Sequence, residues 1–95
     1  MTIARIYIIH ATDSGEMETG LEALADAVRA LPGSEGVEVL RDLGNEKRFL
    51  FVEKWESEQA HTAGFDKLDK RLLGPVGAAS DGPPDGAYYD YRKVV

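Results

Sequence analysis

The chain contains no cysteine among its 95 residues. Disulfides, thiolate metal sites, iron–sulfur clusters and thiol catalysis are all excluded by that one absence, which also suits a reducing compartment. Basic surface is scarce too. Eleven Lys and Arg stand against seventeen Asp and Glu, a net charge of −6, and Lys67, Lys70 and Arg71 are interleaved with Asp66 and Asp69. Binding nucleic acid needs a concentrated basic face, so no nucleic-acid partner is expected. Long apolar runs are missing as well: Ile6 to Ile9 falls far short of the roughly 20 residues a membrane helix needs, and no basic segment leads into a long apolar one. A soluble cytoplasmic protein without a membrane partner is the expectation. Several catalytic patterns are also absent. No Gly-x-Ser-x-Gly elbow surrounds Ser14, Ser34, Ser57 or Ser80, and the glycines at 74, 77 and 82 have no strand before them to make a phosphate cradle.

What remains is an ordinary globular composition, 43% hydrophobic and 29% charged, of a length that holds one domain over residues 1–95. Residues 3–11, IARIYIIHA, are β-branched and aromatic and read as a strand. Both of its faces are apolar, with Ile3, Tyr7 and Ile9 on one and Ala4, Ile6 and Ile8 on the other, so both expect cover. Asp13 with Glu16 forms a helix-start pattern, Ser14 being the alternative cap. Met17, Leu21, Leu24, Val28 and Leu31 then make one helical stripe that Pro32-Gly33 ends. Residues 36–43 and 48–55 read as a hairpin around a turn at 44–47. Phe49, Phe51, Glu53 and Trp55 share one face of its second strand. Ser57 caps a second helix from Glu58, whose stripe is His61, Phe65, Leu68 and Leu72. Gly64 inside that helix costs about 1 kcal/mol against alanine, or else marks a break between two helices. Residues 74–86, GPVGAASDGPPDG, read as a lid or binding loop. A last strand over 87–94 holds three of the four tyrosines.

The order strand, helix, strand, strand, helix, strand predicts an α+β, ferredoxin-like βαββαβ fold: a four-stranded antiparallel sheet with two helices on one face. The other face is too apolar for water, and a homodimer of the dimeric α/β-barrel kind, sheet against sheet, would cover it.

The stretch from Phe49 to Phe65, FLFVEKWESEQAHTAGF, resembles the core signature of the antibiotic-biosynthesis monooxygenase (ABM) domain family. It has an aromatic strand, Glu-x-Trp, a polar turn and a helix carrying a histidine. The resemblance implies a dimeric α/β barrel with a cleft between sheet and helices, near Trp55 and His61. It also implies oxygenation of phenolic polyketides or quinols by molecular oxygen, without metal or flavin cofactor. Many members carry the helix histidine one turn later, where this chain has Gly64 or Phe65, and haem-degrading relatives pair it with a first-strand asparagine that residues 3–11 lack. Haem degradation is therefore disfavoured.

The candidate catalytic residues are His61, Glu53 and Trp55. His61 could take a phenolic proton, or be a hydrogen-bonded core histidine. Glu53, on the same strand face as Trp55, could orient His61, act as the base itself, or be a solvated strand residue. Trp55 could wall the cleft or simply cap the core. Phe49, Phe51, Phe65 and Tyr89 are the candidate substrate contacts. The three tyrosines at 88, 89 and 91 fall on alternating faces and could instead pack a dimer seam. His10 ends the first strand as a surface residue. With His61 and Glu53 it could nominally ligate iron, but no two of the three lie one helical turn apart, so no metal is expected. The alternative to an enzyme is a non-catalytic dimeric α/β-barrel protein that binds a small apolar molecule or serves in stress.

Overall fold

The structure is a computed structural model that describes residues 1–95. Its strands are β1 (Ile3–His10), β2 (Ser34–Asp42), β3 (Asn45–Trp55) and β4 (Asp85–Asp90), and its helices α1 (Ser14–Arg29), α2 (Glu58–Lys67) and α3 (Leu73–Ala78). The strands form one antiparallel sheet in the order β2-β3-β1-β4. That is the ferredoxin-like arrangement the pattern predicts.

Both long helices start where their caps require. Asp13 Oδ1 accepts the Glu16 N–H at 2.9 Å and Ser57 Oγ accepts the Ala60 N–H at 3.0 Å, so each satisfies a donor that has no partner inside its helix. From α1, Met17, Leu21, Leu24 and Val28 are buried against the sheet. Gly33, with φ of 86°, reverses the chain into β2 in a conformation that glycine adopts without strain.

The register assigns the two sheet faces. Ile3, Arg5, Tyr7 and Ile9 of β1 lie opposite Trp55, Glu53, Phe51 and Phe49 of β3, on the face the helices cover. Ala4, Ile6 and Ile8 lie opposite Lys54, Val52 and Leu50 on the other face. Nothing in the chain covers that second face, where Leu40 and Tyr89 are exposed and Ile6, Ile8, Leu50 and Val52 half-buried.

Three sequence expectations need correction. The segment 74–86 is not wholly a loop: a 3₁₀ turn over Lys70–Leu72 runs into α3. Leu72, Leu73 and Val76 pack on the core, and Gly20 of α1 lets α3 dock closely, since a Cβ there would sit 3.2 Å from Val76 Cγ2. The last strand runs from Asp85 to Asp90 rather than over 87–94, because β1 begins at Ile3, the partner of Asp90, and offers later residues nothing to pair with. The hairpin turn is also tighter, since Asp42 and Asn45 already pair across Leu43 and Gly44. There Asp42 Oδ1 accepts the Gly44 N–H at 2.7 Å. No helix is long and apolar enough to cross a membrane.

Candidate active site

Between the covered sheet face and the three helices lies a cavity of about 250 Å³. Its walls are apolar: Leu21, Leu24 and Val28 from α1, Ile9 and Phe51 from the sheet, and Leu68, Leu73, Val76 and Pro84 from the segment after α2. Its polar side chains, Tyr7, Glu53 and His61, are gathered in one place beside Trp55. An apolar chamber with a few convergent polar groups is the usual form of a small-molecule site.

Each member of that polar pole is placed by a simple spacing. Glu53 and Trp55 are two apart on β3 and share its inner face, so the indole Nε1–H donates to Glu53 Oε1 at 2.7 Å. Trp55 is 1% exposed, and it fits because residue 64 of α2 has no side chain. A Cβ there would lie 2.7 Å from Trp55 Cη2 and 2.9 Å from Cζ3. Gly64 therefore leaves α2 unbroken and seats the indole beneath it. One turn earlier on the same helix, His61 meets the tryptophan ring edge-on, with centroids 5.5 Å apart.

His61 is the hub. Its Nε2 lies 3.3 Å from the Tyr7 hydroxyl and 3.7 Å from Glu53 Oε1, while its Nδ1 lies 2.6 Å from the hydroxyl of Tyr88 on β4. Arg5 stands directly opposite both Glu53 and Tyr88 in the sheet. Its guanidinium lies over two aromatic faces, 4.8 Å from the centroid of Tyr7 and 4.3 Å from that of Tyr88. Gly86 gives these groups room, because a Cβ there would lie 2.8 Å from Tyr7 Cδ1 and 3.0 Å from an Arg5 guanidinium nitrogen.

Burial shifts these groups toward their neutral forms. It lowers the His61 pKa below 6.5, and the Arg5 charge adds to the effect, so the imidazole is mainly neutral at pH 7. Burial raises the Glu53 carboxyl, against the opposing hydrogen bond from Trp55 and the charge of Arg5. Burial likewise raises the Tyr7 hydroxyl and keeps it a proton donor. With the imidazole neutral, the contact between Glu53 and His61 is not an ion pair.

Of the residues singled out from sequence, His61, Glu53 and Trp55 come together, and Phe51 and Phe65 line the cavity beside them. Phe49 is buried on the same sheet face but is not part of the cavity wall. Tyr89 is on the wrong face: it pairs with Ala4, points away from the helices and is 53% exposed. Its neighbour Tyr88 takes the inward place. His10 is exposed and lies five residues along β1 from Arg5, the partner of Glu53, about 17 Å at strand rise. It therefore cannot share a metal with Glu53 and His61, and no group of three His, Asp or Glu is placed to hold one. Arg5, Tyr7 and Tyr88 also belong to the site, and no motif in the sequence marks them. The parity that put Tyr7 with Ile3 and Ile9 also put Arg5 there, a charge among core positions, and that was the available signal.

The fold and cavity define a class, the ferredoxin-like α+β domains with a ligand-sized chamber between sheet and helices. Comparison with known proteins narrows it. The sequence pattern of the antibiotic biosynthesis monooxygenase family matches residues 1–65, and the chain belongs to that family. No curated protein sequence matches it. Among solved structures it is similar to SnoaB, a cofactor-independent oxygenase from Streptomyces nogalater, with a TM-score of 0.88 and 12% identity over 99% of this chain and 96% of that one. It is also similar to a conserved protein from Methanosarcina mazei Go1 (0.83, 15% identity, 94% and 91% covered) and to Rv0793 from Mycobacterium tuberculosis (0.80, 15%, 99% and 98%). At such identities the likeness speaks to the fold.

Proposed function

We propose that the chain is a homodimeric, cofactor-independent monooxygenase that oxidises a small hydroxylated aromatic or quinol. The observation that carries this reading is the single polar pole of an otherwise apolar cavity, with a neutral histidine at its centre. An aromatic ring would lie among Phe51, Phe65 and the aliphatic walls, with its hydroxyl at the pole. There His61 Nε2 accepts the substrate's hydroxyl proton, and Tyr7 donates a hydrogen bond to the oxygen left behind. Glu53 holds the Trp55 indole and faces His61, so its role is to orient the site.

The resulting anion is electron-rich enough to reduce oxygen. For an anthrone, the ring CH₂ becomes C=O: one oxygen atom enters the product and the other leaves as water with the two hydrogens lost. The substrate supplies all four electrons, so no external reductant is required. Such chemistry favours apolar surroundings that hold few waters near the intermediates, which suits the walls described above. Family membership and the likeness to a cofactor-independent oxygenase support the reading. So does the uncovered apolar sheet face, which a second copy would bury.

The test is oxygen consumption by the purified protein with a panel of anthrones and naphthoquinols. Turnover above buffer is expected, falling at least about 100-fold in His61→Ala and strongly in Glu53→Gln and Trp55→Phe. Ligand binding without turnover would leave a non-catalytic binding protein. A rate that His61→Ala does not change would remove the histidine from the chemistry.

A further inference from the structure

Any proton that leaves a substrate in this cavity needs an acceptor that can pass it on, and the apolar walls hold none. The polar pole offers one. His61 presents two nitrogens to two different environments. Nε2 faces the cavity beside Tyr7 and Glu53, and Nδ1 faces the Tyr88 hydroxyl at 2.6 Å, the shortest contact His61 makes. Tyr88 belongs to β4, which pairs with β1 alone and forms the sheet edge, and 38% of the residue is exposed. Its ring is held between two partners. The His61 imidazole meets it edge-on, with centroids 5.3 Å apart, and the Arg5 guanidinium lies 4.3 Å from its centroid.

We propose that Tyr88 is the outer link of a proton path that connects the cavity to solvent through His61. This rests on the oxygenase reading for its substrate, but the path itself is a property of His61 and Tyr88. In the resting state Nδ1–H donates to the Tyr88 oxygen and Nε2 accepts from the Tyr7 hydroxyl, which turns to the substrate oxygen when substrate binds. The substrate hydroxyl gives its proton to Nε2, Nδ1 gives its own to the Tyr88 oxygen, and Tyr88 releases its original hydroxyl proton to water. One proton has then moved from substrate to solvent, and His61 is neutral before and after with its tautomer exchanged. When the peroxide collapses and water forms, a proton returns by the same path and resets the ring. The groups facing His61 are Arg5 and Tyr7 from β1, Glu53 and Trp55 from β3, and Tyr88 from β4. Only Tyr88 joins the imidazole to the sheet edge. Arg5 is a positioning residue that holds the two tyrosine rings against the histidine.

Tyr88→Phe keeps the ring and both stacking contacts and removes only the hydroxyl. In that variant kcat is expected to fall about tenfold or more with KM within about twofold, general acid–base steps being worth at least that much. Added imidazole, small enough to carry protons at the sheet edge, is expected to restore much of kcat in Tyr88→Phe and to leave the wild type unchanged. An unchanged kcat overturns the path, and so does a loss that appears mainly in KM or that imidazole does not relieve. A second readout needs no turnover. ¹⁵N spectra of the His61 imidazole are expected to show Nδ1 as the protonated nitrogen in the wild type and a shift toward Nε2–H in Tyr88→Phe, with Tyr7→Phe leaving Nδ1 protonated. If the wild type oxidises nothing, the oxygenase reading fails while these spectra still judge the path. If it turns over and Tyr88→Phe matches it in rate and spectrum, the path fails alone.

Discussion

His61 is buried beside the Arg5 guanidinium, and both its burial and that charge disfavour the protonated ring. Its pKa is depressed, so the unfolded chain binds the proton more tightly than the folded one once pH falls below about 6.5. Folding stability from this residue is therefore fully present above pH 6.5 and is lost as pH falls toward the folded pKa. Glu53 acts in the opposite sense: its raised pKa contributes stability below 4.5 that is lost as pH rises through the folded value. Replacing His61 by Gln removes the first effect only. Urea unfolding at about pH 7.5 and about pH 5 is expected to show the wild type losing ground to His61→Gln at the lower pH, and equal pH dependence in the two proteins would contradict the depressed pKa. Under the proposed function, the same ionisation is expected to place the acid limb of kcat/KM below pH 6.5, where a protonated imidazole can no longer accept.

At the scale of elements, the packing of α2 on β3 rests on the missing side chain of residue 64. Gly64→Ala would gain helix propensity worth up to about 1 kcal/mol. It would also drive a methyl group into the indole of Trp55, a collision that costs about 1–3 kcal/mol in a packed core. A net loss of thermal stability is expected, read as a lower Tm, and Trp55→Phe is expected to relieve it. Additive effects of the two changes would show that the positions are not in contact. Most elements were legible from the chain because their signals are local: the caps at Asp13 and Ser57, the stripe of α1, the aromatic face of β3. The site was legible where parity sufficed, as for Glu53 and Trp55. It was not legible where register decided. Choosing between Tyr88 and Tyr89 requires knowing that Tyr88 lies opposite Arg5, a pairing between residues far apart in sequence. Helix α3 was hidden for another reason. Its glycines and proline argue for a loop, and the packing of half-buried Leu73 and Val76 on the core overrides them.

For the whole molecule, the two sheet faces differ in what they present. The inner face holds the cavity, and the outer face presents Ile6, Ile8, Leu50 and Val52 with no cover from the chain itself. Val52→Asp places a charge in the middle of that face and away from the cavity. Sedimentation is expected to show a dimer for the wild type and a monomer for Val52→Asp, and a wild-type monomer at all concentrations would remove the proposed interface. The alternation behind this division has a further consequence. Under the proposed function, Arg5 and Tyr7 in β1 would serve the chemistry, while Ala4, Ile6 and Ile8 would serve association, each one residue away. Substitutions in this strand can therefore damage one duty and spare the other. Gaining or losing a single residue there would turn every side chain beyond it to the opposite face and damage both duties together. Such a strand should diverge by point changes while keeping its length fixed.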